Sequence, residues 1–235
     1  MIQKLIDDEL AQQQEKKLLR ERSGKWSPSS FGKCFRYQFW HRKNEPETDP
    51  IEPRILRVFE AGKIFEDFVV KTLLPLHPEA QVGVKVEIED VLGYADIVFP
   101  EEVIELKTQH SRAFWYRQDE EWKNIEPKIL PNIYQAMYYA IYLKKPSARI
   151  VYISKDDVCI QEYALQVTPR WIDEINTELS VLRDFWARNE LPPTTARAYP
   201  NELGKPQECS MCNYCTKCWG KKLQRDRVKK VKANV

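Results

Sequence analysis

Asp96, Glu105 and Lys107 are the side chains of this sequence best spaced to do chemistry, in the pattern Asp-x8-Glu-x-Lys. Glu105 and Lys107 lie two apart in an apolar, extended run, so they point to one side of a strand. Pro100-Glu101 reads as a two-residue turn between strands over 92–99 and 103–107. That turn sets position 99 opposite 102, 98 opposite 103 and 96 opposite 105. Asp96 and Glu105 are then expected as direct cross-strand neighbours, with Cβ atoms roughly 5 Å apart.

Two like charges so placed destabilise a hairpin. A divalent cation converts the repulsion into coordination, and hard oxygen donors suit Mg²⁺ or Mn²⁺. An ammonium at Lys107 could orient a water and steady charge on a phosphate. The chemistry would be in-line attack of water on a phosphodiester. A plainer reading is a solvated hairpin with an ordinary Glu–Lys pair. Against it, Leu92, Tyr94, Ile97, Val103 and Ile104 make these strands look buried. Buried strands seldom carry acids without a partner.

A second donor set is sulphur. Cys209, Cys212, Cys215 and Cys218 fall within ten residues, Cys34 lies far upstream, and Cys159 is the sixth cysteine. Residues 1–22 scatter charges among apolar positions and read as no export signal. A reducing cytoplasmic setting is therefore expected, where clustered thiols hold metals rather than form disulfides. The regular Cys-x2-Cys-x2-Cys-x2-Cys run could make a local four-cysteine zinc knuckle. It could also work with Cys34 in a site joining the two ends of the chain. Both stay open on spacing alone.

The elements that must position these groups follow from periodicity. Ile2, Leu5, Ile6, Leu10, Leu18 and Leu19 suggest an amphipathic first helix ended by Gly24. Ser27-Pro28-Ser29-Ser30 reads as a helix start, with that helix carrying Phe31, Cys34, Phe35, Tyr37 and Phe39. Residues 44–54, rich in Pro and acids, read as a loop. Helices are expected over 56–74, 127–143 and 169–189, with Pro192-Pro193 ending the last. Strands are expected over 82–88, 92–99, 103–107, 148–154 and 158–165. The pattern is α/β, with a mixed central sheet flanked by helices. The expected division is 1–54 as a helical segment carrying Cys34, 55–190 as the core, and 191–235 as a cysteine segment with a basic tail.

The 235 residues are 43% hydrophobic and 31% charged with a net charge of +2, an ordinary globular balance. No apolar run approaches membrane-spanning length, so no membrane partner is expected. With so small a net charge, nucleic-acid affinity must come from local patches. Arg112, Trp115, Tyr116 and Arg117 follow the Lys107 strand and are expected to contact DNA through phosphates and base stacking. Lys221, Lys222, Arg225, Arg227, Lys229, Lys230 and Lys232 are expected to form a solvated tail. The basic–aromatic stretch 33–43 reads mainly as core.

Gly93-Tyr94-Ala95-Asp96 followed by Ile104-Glu105-Leu106-Lys107-Thr108 resembles the centre of the PD-(D/E)xK nuclease superfamily. Gln135 and Tyr139 match the Gln-x3-Tyr element of its RecB-like branch, and residues four apart share one helix face. Gly62-Lys63-Ile64-Phe65-Glu66 resembles the Gly-x3-His element, with Glu66 where the branch usually has a metal-binding His. Residues 27–34, together with Cys209, Cys212 and Cys218, resemble the cluster ligation of the iron–sulphur, CRISPR-associated exonuclease family.

The resemblance covers most of residues 27–219. It implies a restriction-endonuclease-like core cutting DNA, single-stranded DNA above all and often from an end. It implies Mg²⁺ or Mn²⁺ on Glu66, Asp96 and Glu105. It implies catalytic work by Lys107, and Gln135 and Tyr139 orienting DNA or the lysine strand. A 4Fe–4S cluster would sit on Cys34, Cys209, Cys212 and Cys218, with Cys215 spare. Partners would be CRISPR integration proteins or recombination proteins, in the cytoplasm of a prokaryotic cell or its virus. The rival from another class is a DNA-binding protein with an inactive nuclease core and a structural zinc or iron–sulphur site.

Overall fold

Eight residues of alternating pattern, Gln81–Ile88, form β1, which turns back through Glu89 (φ 49°) into β2, Val91–Val98. Before this hairpin come helices α1 (Ile2–Leu19), α2 (Phe35–Arg42) and α3 (Pro53–Leu73). After it come β3 (Glu102–Gln109), the short α4 (Ser111–Trp115), α5 (Trp122–Tyr142), β4 (Ser147–Ser154), β5 (Ile160–Gln166), α6 (Pro169–Ala187) and α7 (Cys215–Trp219). This computed structural model describes residues 1–19, 23–115, 117, 121–194 and 207–221. Tyr116, the side chains of Leu18 and Leu19, and the basic tail from Lys222 onward lie outside the described residues.

The strands form one sheet in the order β1-β2-β3-β4-β5. Only β3 and β4 run parallel, and α5 supplies the crossover that parallel neighbours require. The sheet is thus mixed and flanked by helices. On one face, Ile97, Ile104, Leu106, Val151 and Ile153 pack under Phe65, Val69 and Leu73 of α3. The other face is covered by α5, α6 and the 26–40 segment around Ile129, Met137, Leu179 and Phe39. Residues 133–140 of α5 are all buried. An all-round apolar helix of that kind belongs inside a core.

Asp90, at the β1–β2 turn, ties three distant segments. It accepts Trp26 Nε1 at 3.0 Å, Arg42 Nη1 at 3.0 Å and Arg183 Nη2 at 2.6 Å. Arg42 is also sandwiched between the Trp26 and Trp186 rings, 4.5 and 4.2 Å from their centroids. Cation–π contacts of this kind gain when desolvated.

Several expected boundaries shift. The helix expected from Ser27 to Phe39 is interrupted. Pro28–Ser30 is a single 3-10 turn, residues 31–34 are non-helical, and α2 starts at Phe35 with Cys34 as its N-cap. Gly32 takes φ 74°, and its N–H donates to Glu178 of α6 instead of continuing a helix. The first helix forms, but Ile2, Leu5 and Ile6 stay exposed, so the N-terminal part of its apolar stripe does not reach the core. α5 begins at Trp122, with Pro127 and Pro131 inside it. Tyr94, expected to be buried, is 55% exposed.

Candidate active site and the cysteine cavity

The expected turn register is present: Val98 pairs with Val103 and Ile97 with Ile104. Phe99 N–H closes the turn onto Glu102 O at 2.8 Å. At Asp96 the pleat breaks. Ala95 packs on the α5 side and Ile97 on the α3 side, although strict alternation would put both on one face. Across on β1, Gly83 takes φ 62° and has no partner between the Val82–Ile97 and Val84–Ala95 pairs. Asp96 uses the gap: its Oδ2 accepts the Leu106 N–H at 2.8 Å, a bond from side chain to backbone where a strand-to-strand bond would be.

Glu105 and Lys107 share a face, as period two requires, and Lys107 Nζ donates to Glu105 Oε1. Glu105 is 0% exposed. Its Oε2 is buried and receives no hydrogen bond from the described residues. Burial pushes the Glu105 carboxyl up to about 8; Lys107 opposes this and the Asp96 charge adds to it. Burial also raises Asp96, against the pull of Lys107 and the Leu106 N–H. Burial acts to depress Lys107, yet Glu105 and Asp96 outweigh it and hold the ammonium above its ordinary value. One contact therefore has opposite consequences for its partners. It favours the charged form of Lys107, while complete burial of the Glu105 carboxyl outweighs the same cation and favours its protonated form.

Glu66 comes from α3 on the other side of the opening. Burial raises its carboxyl, with Asp96 adding and Lys107 opposing, so it faces the same centre. Gly62, one turn earlier, lets α3 approach: a Cβ there would stand 3.1 Å from Thr108 Oγ1 on β3. Tyr139 and Gln135 on α5 are buried. The Tyr139 hydroxyl accepts the Tyr94 N–H at 3.1 Å and is bonded to Gln135. The pair thus braces the Asp96 strand. Gly93 makes room for this: a Cβ there would lie 2.5 Å from the Tyr139 hydroxyl and 2.8 Å from Pro28 Cδ.

The donors suit a hard cation. Asp96 and Glu105 act on one another, Glu66 feels Asp96 and Lys107, and one buried oxygen of Glu105 lacks a donor. Among the described residues no three His, Cys, Asp or Glu side chains stand at metal-ligating spacing. The same holds for the sulphurs. Cys34, Cys209, Cys212, Cys215 and Cys218 all line one cavity of about 20 Å³, with Arg36, Trp40, Glu208 and Trp219. Thiols are the right donors for iron or zinc. Burial pushes Cys209 up to about 11 and Cys212 up to about 12. Arg36 Nη1 donates to Cys218 Sγ at 3.5 Å, and the Cys215 thiol donates to Lys221 O at 3.7 Å. Cys159, on the β4–β5 turn, does not line this cavity.

Of the expected DNA-contacting residues that are described, two are exposed and one folds back. Arg112 and Trp115 are exposed, with Trp115 Nε1 donating to Asp157 at 2.9 Å. Arg117 folds back: it donates to Gln109 and lies 4.5 Å from the Tyr152 ring centroid. Its guanidinium braces the sheet beside Lys107. Sequence reasoning missed three participants. Lys155, just past β4, donates to Val58 O at 2.7 Å and lies near Glu66. Asp49, in the loop before α3, accepts Thr216 N–H and Oγ1, both at 2.7 Å. Lys33, half-buried in the turn before α2, is held below its ordinary value by burial and then by Lys107. No periodicity marks any of them, since each acts through partners distant in sequence.

No protein-family model matches the chain, and no curated protein sequence matches it. Solved structures do resemble it. One described as SSO0001 superposes with a TM-score of 0.55 at 15% identity, covering 95% of this chain and 98% of that one. An alkaline exonuclease (LHK-Exo) from Laribacter hongkongensis gives 0.52 at 13% identity over 74% and 93%. A phage related exonuclease from Haemophilus somnus 129PT gives 0.53 at 15% identity over 70% and 94%. The chain therefore shares its fold with exonucleases. At these identities the likeness speaks for the fold, and function must be argued from the site.

Proposed function

We propose that this protein is a Mg²⁺- or Mn²⁺-dependent deoxyribonuclease that degrades single-stranded DNA from an end. One observation carries the reading: Asp96, Glu105 and Lys107 meet where β2 and β3 part, with Glu66 facing them from α3. Desolvated carboxylates are costly without a partner, and a divalent cation is the partner their chemistry suits.

In this reading Asp96, Glu105 and Glu66 hold the ion. The ion, when bound, acts as a Lewis acid on the phosphate and lowers the pKa of water. The residues do the rest. Leu106 N–H fixes the Asp96 carboxylate, leaving its other oxygen for the ion. Lys107 stays protonated and places one positive charge where a phosphate oxygen gains negative charge. Tyr139 and Gln135 hold β2 in register and orient Asp96 indirectly. Arg112 and Trp115, exposed beyond β3, would meet the strand in this reading.

The cysteine cavity is read as a 4Fe–4S site on Cys34, Cys209, Cys212 and Cys218. The bond from Cys215 to Lys221 O supports leaving Cys215 out. Residues 1–54 and 191–235 then act as one cluster-holding unit around the 55–190 core. CRISPR adaptation or recombination and repair remain the processes implied by the family resemblance.

The test is a time course on 5′-labelled linear and circular single strands with Mg²⁺ or Mn²⁺. Wild type should shorten the linear strand progressively and spare the circle. Asp96→Ala and Lys107→Ala should each lower the rate by about 10²–10³-fold. Equal cleavage by wild type and both variants, or none by any, would refute the nuclease reading. Cleavage of the circle would refute only the end requirement.

A further inference from the structure

Helix α3 carries Glu66, yet among the described residues the Glu66 carboxylate makes no hydrogen bond and no ion pair. Its place is therefore set by the backbone of α3. Two contacts fix the height of that helix over the sheet.

The first is made by Lys155, the residue that follows β4. Its N–H donates to Gln109 O at 2.9 Å, so its base is fastened to the end of β3. Its half-buried side chain then reaches across to α3, where Nζ donates to Val58 O at 2.7 Å. Bonds from an ionised donor are the stronger kind. Among the described residues Lys155 forms no ion pair, so its charge is directed at a helix carbonyl. The second contact is at Gly62, one turn further along α3. A Cβ there would stand 3.1 Å from Thr108 Oγ1 and 3.9 Å from Lys155 Nζ, so a methyl group would crowd both β3 and the lysine.

Helix α3 runs antiparallel to β3. It starts beside Lys155 and Thr108 and leads to His77, whose ring centroid lies 5.3 Å from that of Phe99 at the β2–β3 turn. Four residues of helix rise about 6 Å, the length of about two residues of strand. With Gly62 over Thr108, Glu66 then stands level with Leu106, whose N–H holds Asp96 Oδ2 at 2.8 Å. Phe65, its neighbour, packs in one cluster with Leu106 and Ile97, in agreement with that height. Any slip of α3 carries Glu66 with it, and misplacements of about 1 Å are costly at a reacting centre.

We propose that Lys155 is a positioning residue for the metal site: by fastening Val58 O to the end of the sheet, it holds α3 at the height that brings Glu66 to the ion beside Asp96. This rests on the nuclease reading, in which Glu66 is the third carboxylate on the ion, and deepens it.

The test uses the full chain, purified anaerobically, as wild type, K155M, K155R, E66A and K155M/E66A. Mn²⁺ binding is read without DNA, from the electron paramagnetic resonance signal of the free ion, and thermal midpoints are taken in chelator. K155M should bind Mn²⁺ about tenfold more weakly, the scale for losing a group that orients a ligand. It should need correspondingly more Mn²⁺ for half-maximal cleavage of a linear single strand. K155R keeps a donor for Val58 O and should restore binding. In the E66A background K155M should add nothing, because the ligand it positions is gone. If K155M is unstable, K155Q, with a shorter side chain, takes its place in the same measurements. Wild-type affinity in K155M would overturn the proposal and leave the nuclease reading intact. An equal loss in both backgrounds would overturn it too, since Lys155 would then act elsewhere than on Glu66. Wild-type affinity in E66A would take Glu66 off the ion and this proposal with it, while cleavage that depends on Asp96 and Lys107 kept the nuclease reading. A wild type that neither binds Mn²⁺ nor cleaves would remove the nuclease reading first.

Discussion

A buried carboxyl beside a second one can be stabilised by a proton or by a cation. Glu105 sits in that position, raised from 4.5 to about 8, chiefly by burial. A raised carboxyl pKa means that the folded state binds the proton more tightly than the unfolded one. The associated stability is fully present below about pH 4.5 and is lost as pH rises through about 8. Metal-free protein should therefore melt at progressively lower temperature over this window, by at most about 1.4 kcal/mol per pH unit. Mg²⁺ or Mn²⁺ needs the ionised form, so binding should release a proton and tighten with pH over the same range. Glu105→Gln should flatten the metal-free trend. Thermal melts in chelator between about pH 5 and 9 check this, and parallel curves for wild type and variant would contradict it.

Asp96, Glu105 and Lys107 were legible in sequence because strand period and a two-residue turn fix which side chains meet. The break in the pleat at Asp96 was not legible. It depends on Gly83 of another strand and on a bond from side chain to backbone, neither of which leaves a periodic trace.

Among the elements, long helices and strands announced themselves, while the pieces that dock them did not. The acid-rich stretch 44–54 read only as a loop, yet it latches the cysteine segment. Thr48 and Asp49 N–H groups donate to Asn213 O at 3.0 and 2.9 Å, and Tyr214 OH donates to Glu45 O at 3.2 Å. Asp49 then takes the Thr216 N–H in the first turn of α7. An N-terminal helix N–H left without a partner is a cost, and here the cap comes from far along the chain. Asp49→Ala should destabilise the protein by about 1.5–3 kcal/mol, the scale for bonds to a charged acceptor. It should also lower metal retained by the cysteine site. Denaturant unfolding alongside metal analysis checks both, and a variant matching wild type in each would show the latch to be unimportant. The same long-range logic explains the break in the helix expected from Ser27. Glu178 and Glu208 compete for the Gly32 and Cys34 N–H groups that a continuous helix would have used.

For the molecule as a whole, the question is what a metal adds to ends that already meet. One apolar core runs from Trp26 and Phe39 through the sheet and α5 to Tyr214, so the N- and C-terminal segments share it. Glu208 holds Cys34 N–H, and Asp49 holds Thr216 N–H. If the proposed cluster is lost, these bonds and the shared core should still hold the two ends together, in a weaker protein. A metal joining Cys34 to the 209–218 segment closes a loop of most of the chain, and closure of that length is worth on the order of 4–5 kcal/mol. Cys34→Ala should remain folded, unfold at lower denaturant by up to that amount, and lose iron with its absorption at about 400 nm. Cys215→Ala should keep the iron, since its thiol is bonded to Lys221 O. Metal analysis and unfolding of both variants, purified anaerobically, separate the alternatives. Full metal content in Cys34→Ala would mean the four clustered cysteines hold it alone, which leaves the ends joined, among the described residues, by the core and by the Glu208 and Asp49 bonds. Loss of metal in Cys215→Ala would place that thiol in the ligand set and displace one of the other four.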